Sequence, residues 1–314
     1  MFKEALKEIR EAQRIIIHRH THPDGDAMGS QIGLKHIIKE NFPEKEVYVV
    51  GDYAGRYDFM EDSQMDQVPD SLYEGALAII LDTSAPALIS DNRYTTASRT
   101  LRFDHHIFVE KIADVEVTDT TFESCAGLIA CFAQTEGLKV NSLAAKSLYT
   151  GMITDSGRFR YDATSPRTFM LASFLLEQEF ALSDIYTKLY ADEYESIRRR
   201  AEFVLRIRFT SSKVAYVYTT AEQVKDMGVD TFSISRGMVN TMSDIRGVHI
   251  WVNFTETESG VLCEIRSNRY NINPIATKYG GGGHAKASGA TVKNREEAMQ
   301  MLEDLNQMEE NGCE

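Results

Sequence analysis

The chain has 314 residues, 43% hydrophobic and 26% charged side chains, and a formal net charge of −13; it exceeds the roughly 250–300 residues at which a single core stops growing, so two domains are expected. No apolar run approaches the ~18 residues of a membrane span, and no basic-then-apolar leader opens the chain, which points to the cytoplasm and to no membrane partner. The acidity, concentrated in the N-terminal part, argues against a long electrostatic track along a nucleic-acid backbone.

In chain order, apolar runs at 14–19, 46–50, 76–81, 100–103 and 114–117 read as strands, and apolar spacing gives helices over 27–40, 123–136 and 141–152. This alternation predicts a doubly wound, mainly parallel α/β domain over residues 1–191. Helical stretches at 166–178 and 181–208 follow, the second expected to supply a connector helix over 192–210. Residues 211–314 then read as a smaller mixed α/β domain, with strands at 213–219, 248–255 and 261–266 and helices near 221–227, 234–243, 271–278 and 294–309. Cys125, Cys131, Cys263 and Cys313 lack CxxC spacing, so reduced thiols are expected in place of a disulfide framework or zinc site.

Ligand-type residues gather where these elements end. The stretch "HRHTHPDGDAMGS" follows the apolar run Ile15-Ile16-Ile17, "ALAIILDTS" places Asp82 at a strand end, "TLRFDHH" does so for Asp104, His105 and His106, and "GMITDSGRF" puts Asp155 after a helix. Each alone fits a helix cap or turn, but together they occupy one edge of a parallel sheet, where open α/β folds place ligands. Aspartate and histidine without thiolates suit Mn²⁺ or Mg²⁺, and a pair of ions roughly 3.5–4 Å apart needs a bridging carboxylate. We nominate His20, Asp24 and Asp82 for one ion and Asp26, Asp82, His105 and Asp155 for the other. Without cations the crowded carboxylates would raise one another's pKa.

These motifs, in this order, resemble the DHH phosphoesterases, a family named after the triplet found here at Asp104-His105-His106. The tail "RSNRYNINPIATKYGGGGHAKASGA" is similar to the DHHA1 domain that accompanies the catalytic domain in one branch. Its compact length resembles the bacterial members that degrade short oligoribonucleotides and remove the 3′-phosphate of 3′-phosphoadenosine 5′-phosphate (pAp). RecJ-type members are longer, and manganese pyrophosphatases carry a different C-terminal domain. The resemblance implies the same six metal contacts, two Mn²⁺ with Mg²⁺ as the substitute, and a hydroxide attacking phosphorus in line. It also implies that Asp104 orients a neighbouring histidine and that His106 stabilises charge or protonates the leaving oxygen, so that His106, Asp82 and Asp104 form the catalytic set. Relatives often carry an arginine near the position of Leu88, which puts any phosphate contact from that side chain in doubt. They are also often dimeric, which extends the expectation to a homodimer.

For the second domain, Arg266 offers bidentate bonds to phosphate, with Ser267, Asn268 and Arg236 as weaker candidates. Gly281, Gly282 and Gly283 allow backbone N–H groups to approach an anion, and His284 follows directly. The expected substrates are therefore oligoribonucleotides of about two to five nucleotides, including pApA and pGpG, and pAp, bound by local cations against an acidic exterior. A cyclic dinucleotide (c-di-AMP) phosphodiesterase is the alternative within the same chemistry, and a non-catalytic nucleotide sensor the alternative outside it. Among the remaining candidates, His18 reads as a sheet residue, His22 as a turn residue, and His36 and His249 as ordinary packing or surface residues. For Gly29 and Ser30, approach to the metal competes with helix packing. Arg198, Arg199 and Arg200 read as a solvated helix face.

Overall fold

An isoleucine run has no polar face to turn toward water, and Ile15-Ile16-Ile17 is buried on both sides of a sheet. The computed structural model describes residues 1–228 and 230–312, so Cys313 lies outside the described residues, and the chain divides into two units, Met1–Ala191 and Asp192–Glu314. In the first unit α1 (Phe2–Glu11), β1 (Arg14–His18), α2 (Gly25–Asn41), β2 (Glu46–Val49), β3 (Leu77–Leu81), β4 (Arg99–Asp104) and β5 (Val115–Thr118) precede four helices. These are α3 (Cys125–Thr135), α4 (Ser142–Asp155), α5 (Pro166–Leu176) and α6 (Leu182–Tyr190). Every strand pairing is parallel, in the order β2-β1-β3-β4-β5. Ile15 and Ile17 pack among α2, α3 and α4, while Ile16 faces Val50, Val68 and Tyr73 on the opposite side.

That strand order reverses direction between β1 and β3. The chain leaves β1 toward β2 on one flank and resumes at β3 on the other, so a crevice opens outside their carboxyl ends. Close helix packing brings further groups to this crevice. Gly25, Gly29 and Gly33 recur every fourth residue along α2, and a Cβ at Gly29 would stand 2.4 Å from the Ser147 carbonyl oxygen of α4. At Gly151 of α4 a Cβ would meet Ala126 at 2.5 Å and the Asp26 carboxylate at 2.9 Å. Gly29 thus serves helix packing, and Ser30 lies buried with its hydroxyl donating to the Ala27 carbonyl at 3.3 Å. Asp26 and Asp155, at opposite ends of their helices, become neighbours because these two backbones touch.

The second unit begins with α7 (Tyr194–Leu205) and continues through β6 (Arg208–Phe209), β7 (Ala215–Thr219), α8 (Ala221–Met227), α9 (Thr231–Val239), β8 (Ile250–Thr257) and β9 (Gly260–Ser267). It closes with α10 (Asn273–Lys278), β10 (Gly282–His284), β11 (Ala287–Val292) and α11 (Arg295–Asn311). Its mixed sheet runs β10-β11-β9-β8-β7-β6, with β7 and β8 parallel and the other pairs antiparallel. One core joins Ile250, Val252, Phe254, Cys263 and Ile265 to α10 and α11, and another joins Ala215, Val217 and Trp251 to Phe203 of α7 and Val239 of α9.

Two expectations need correction. The single helical stretch over 181–208 is two helices, interrupted where Ala191 and Glu193 take extended conformations and Asp192 turns its carboxylate onto Arg200. No glycine or proline marks that break, so periodicity ran through it. The glycine run, for which hydrophobic spacing predicts no strand, leads into the edge strand β10, with Gly282, Gly283 and His284 opposite Gly289, Ser288 and Ala287. A Cβ at Gly281 would sit 2.1 Å from the Gly289 carbonyl oxygen, so close strand approach itself demands glycine there. Glycine and alanine carry no alternating hydrophobic signal, which hid both β10 and β11.

The Gly29 contact is open to direct measurement. Gly29→Ala is expected to lower unfolding free energy by about 2–3 kcal/mol, because the added methyl meets a backbone carbonyl that cannot rotate away. Urea melts of the two proteins report the difference.

Candidate metal centre

Past β1 the chain must turn sharply, and a buried guanidinium fixes the turn. Arg19, fully buried, donates to the His20 carbonyl at 3.1 Å and to Asp52 at 2.7 Å, while Asp52 accepts from the His22 amide at 2.8 Å and from Ser90 at 2.8 Å. The Thr21 amide is held by the Leu88 carbonyl at 2.7 Å. The exposed Leu88 side chain has no part in that contact. The imidazole of His20 uses Nδ1 against the Thr21 carbonyl at 2.8 Å, which aims Nε2 at Asp24 (3.8 Å) and Asp82 (3.5 Å).

Helix ends supply the next groups. Asp24 is the N-cap of α2 and accepts from the amides of Asp26 and Ala27 at 2.9 and 3.0 Å. Asp26 is buried and receives the Cys125 and Ala126 amides at 2.6 and 2.8 Å, so the N-terminus of α3 compensates part of its charge. Asp155 is the last residue of α4. Asp82 follows β3 with φ of 52°, a conformation uncommon for a side chain of this kind, and its buried Oδ1 has no hydrogen-bond partner.

The DHH triplet closes the pocket. His105 Nε2 lies 3.4 Å from Asp82, 3.4 Å from Asp155 and 3.7 Å from Asp26. His106 bonds the Asp104 carboxylate through Nδ1 at 2.7 Å, with the same nitrogen 3.7 Å from Asp82, and leaves its side chain 46% exposed. Three overlapping sets result, His20-Asp24-Asp82, Asp26-His105-Asp155 and Asp82-His105-His106, in each of which one atom per residue lies within 4.8 Å of the others. Asp82 stands between the two histidines His20 and His105.

Electrostatics show what this pocket lacks. Burial and the nearby Asp82 push Asp26 well above the usual carboxylate range, and burial, with neighbouring carboxylates, lifts Asp155 to about 6. Burial disfavours charge on Asp82 as well, yet the imidazoles of His105 and His20, 3.4 and 3.5 Å away, hold it below its ordinary value. Burial likewise opposes charge on the two imidazoles, but Asp24 and Asp82 raise His20 to about 11, and Asp82 and Asp26 raise His105 to about 10. The side chains recruit protons as counter-charge, which is the behaviour of a site built for cations. The donors are nitrogen and oxygen only. Cys125, the nearest thiol, is pushed far above its ordinary value by burial and bonds the Phe103 carbonyl at 3.3 Å. Hard divalent ions fit this set.

Two supports escaped the sequence reading. Arg102, fully buried on β4, pairs with Asp104 and lies 3.6 Å from Glu116 of β5. Strand alternation puts residues 102 and 104 on one face, a signal that could have revealed it. The Arg19–Asp52 contact had no such signal, because Asp52 lies in irregular chain. Of the residues set aside, His18 is buried between Tyr73 and Tyr94 and held at about 4 by burial, His22 is an exposed turn residue, and His36 and His249 pair with Asp62 and Glu309, each at 2.9 Å. Arg198 and Arg200 pair with acidic neighbours, and Arg199 donates to Ser196.

In the second unit, Arg266 faces Ala287, which in turn faces His284, so both side chains stand on one face of the sheet, two strands apart. That face carries α9, where Arg236 is exposed beside Phe232. Arg266 is partly engaged, donating to Glu264 at 3.0 Å and to its neighbour's carbonyl at 2.9 Å. The Ser267 oxygen is committed to a turn, accepting from the amides of Arg269 and Tyr270 at 3.1 and 2.7 Å. Asn268 is exposed and donates to the Val248 carbonyl at 3.3 Å, Gly281 and Gly282 are half-buried, and Gly283 and His284 are exposed.

Comparison with known proteins now defines the class. Residues 14–152 match the DHH family, N-terminal domain, and residues 213–311 match the DHHA1 domain. The chain belongs to the DHH family of phosphoesterases, in the form that carries a DHHA1 domain. It is 32% identical over 308 residues to the bifunctional oligoribonuclease and PAP phosphatase NrnA of Bacillus subtilis (strain 168), covering 97% of each chain. To the probable bifunctional oligoribonuclease and PAP phosphatase NrnA of Streptococcus mutans it is 34% identical over 308 residues, covering 97% of this chain and 98% of that protein. The crystal structure of an exopolyphosphatase-related protein from Bacteroides fragilis superimposes with a TM-score of 0.84 at 25% identity, over 98% of this chain and 96% of the other.

The buried ion pair gives a stability test independent of turnover. Asp104→Ala leaves the buried Arg102 with the more distant Glu116 and the Glu110 carbonyl, and urea unfolding is expected to show a loss of about 3 kcal/mol. Replacing both partners (Arg102→Met with Asp104→Leu) should restore much of it.

Proposed function

We propose that this protein is a metal-dependent phosphoesterase that hydrolyses short oligoribonucleotides of about two to five residues to mononucleotides and converts pAp to AMP. The observation that carries this reading is Asp82, a buried carboxylate with an unpartnered oxygen, shared between ligand sets on both sides. The full-length relatives named for oligoribonuclease and PAP phosphatase activity support the substrate class.

His20, Asp24 and Asp82 would hold one divalent cation, and Asp26, Asp82, His105 and Asp155 a second, with Mn²⁺ as the ion and Mg²⁺ as the alternative. Such cations supply Lewis-acid stabilisation of phosphoryl charge and lower the pKa of water. The protein's own part is positioning. Arg102 fixes Asp104, Asp104 fixes Nδ1 of His106, and the remaining nitrogen of that exposed ring can deliver a proton to the leaving oxygen as the P–O bond breaks. The hydrogen bond that His106 donates to the Asp104 carboxylate raises the His106 pKa, which suits an acid at neutral pH. Arg266, Arg236, Asn268, the glycine strand and His284 are the substrate contacts of the DHHA1 domain, and Ser267 shapes the turn that follows β9. Cytoplasmic location is supported by the free cysteines Cys125, Cys131 and Cys263 and by the lack, among the described residues, of any helix long and apolar enough to cross a membrane. A homodimer belongs to the same reading.

Incubation with Mn²⁺ and a panel of pAp, pApA, c-di-AMP and 2-mer, 5-mer and 24-mer RNA tests the assignment. Turnover of pAp and of the 2-mer should exceed that of the 24-mer, and faster cleavage of the 24-mer or of c-di-AMP would overturn it. Asp82→Ala should abolish turnover of every substrate and the rise in Tm that Mn²⁺ gives the wild type, whereas Arg266→Ala should chiefly raise KM.

A further inference from the structure

In a chain of net charge −13, two arginines without acidic partners meet beside the candidate metal centre. Arg56 lies in a 3-10 turn, Gly55–Tyr57, and Arg158 follows Asp155 by three residues. Both reach the C-terminal end of α6. Arg56 donates to the Leu189 carbonyl at 3.1 Å, and the Arg158 guanidinium carbon stands 4.7 Å from the centre of the Tyr190 ring. Among the described residues neither is ion-paired, which is also true of Arg10, Arg160 and Arg167, whereas Arg14, Arg19, Arg93, Arg99 and Arg102 of the same unit each are.

Arg56 stacks on the buried ring of Tyr57, its guanidinium carbon 5.4 Å from the ring centre, and Asp155, three residues before Arg158, is the last residue of α4 and one of the candidate ligands. The backbone that presents Arg158 is strained: Gly157, Arg158 and Phe159 have φ of 58°, 65° and 63°, and two of the three carry side chains that disfavour this region. Tyr161 folds over Gly157, where a Cβ would lie 2.4 Å from its ring, and Arg160 donates to the Gly157 carbonyl at 3.1 Å. Strain of this kind persists when a loop must hold one side chain in place. The bland account is that both cations serve the carbonyl end of α6. That account explains Arg56. It does not explain a left-handed Arg158 stacked on an aromatic face with no hydrogen-bond acceptor for its N–H groups among the described residues.

A guanidinium fork matches the oxygens of a phosphate, and a terminal phosphomonoester carries nearly twice the charge of an internal diester. Resting on the phosphoesterase reading above, we infer that Arg56 and Arg158 form a second anion subsite, which grips the terminal phosphomonoester at the end of the substrate away from the scissile bond. In pAp and in pApA this is the 5′-phosphate. The subsite stands beside the cluster that takes the scissile phosphate, so it selects substrates whose two phosphates are close along the chain.

Steady-state kinetics of wild type, Arg56→Gln and Arg158→Gln on pApA against ApA, and on pAp against 3′-AMP, test this. The wild type should prefer the 5′-phosphorylated member of each pair. Each variant should show about tenfold higher KM for that member, with kcat and the constants for ApA and 3′-AMP unchanged. Equal wild-type turnover of ApA and pApA, or equal losses on both in the variants, would overturn the subsite. Calorimetric titration of the full-length proteins with 5′-AMP and with adenosine gives a readout free of turnover. Arg158→Gln should weaken 5′-AMP and leave adenosine unaffected, and identical 5′-AMP binding in all three proteins refutes the assignment. If the wild type cleaves no nucleotide, the functional reading fails, and the titration still decides the subsite.

Discussion

Four carboxylates, those of Asp24, Asp26, Asp82 and Asp155, are drawn into one pocket, two of them almost wholly removed from water. Such a concentration of negative charge persists only if positive charge joins it, and the rest of the first unit can be understood from that requirement. The amides of Cys125 and Ala126 meet Asp26, the imidazoles of His20 and His105 bracket Asp82, and what remains uncompensated is the charge that divalent cations supply. Stability and chemistry therefore draw on the same groups.

Sheet topology explains how residues so far apart along the chain come together. Parallel strands all deliver their carboxyl ends to one edge, and the reversal of strand order between β1 and β3 leaves that edge open between them. Asp82 and the DHH triplet arrive from β3 and β4, and Asp24 and Asp26 from the start of α2. Asp155 comes from the far end of α4, and it reaches the pocket because three glycines on α2 and one on α4 let two helix backbones touch.

Much of this was legible in the sequence, for identifiable reasons. Fully buried parallel strands read as continuous apolar runs, and ligand-type residues placed after them stand out, so the first sheet and the metal group could be inferred from Ile15-Ile16-Ile17, from "AIILD" and from "RFDHH". The family resemblance rested on the same motifs. Less legible were features carried by side chains that have no periodic signature. Strands β10 and β11 consist largely of glycine, alanine and serine, and the break between α6 and α7 falls among residues that favour helix. Arg19 and Arg102 look like charged surface residues until burial and their partners are seen. The choice for Gly29 between packing and metal approach required the position of Ser147.

The wiring of Arg102 reaches beyond the reaction centre. Its guanidinium touches Asp104 on its own strand and Glu116 on β5, the outermost strand of the sheet. The orientation of the His106 imidazole is thus mechanically tied to the rim of the domain, several residues and one strand away. Edge integrity and the pose of this imidazole are, in this molecule, a single inherited property: whatever loosens the last strand also loosens the hold on His106, even while the interior stays folded.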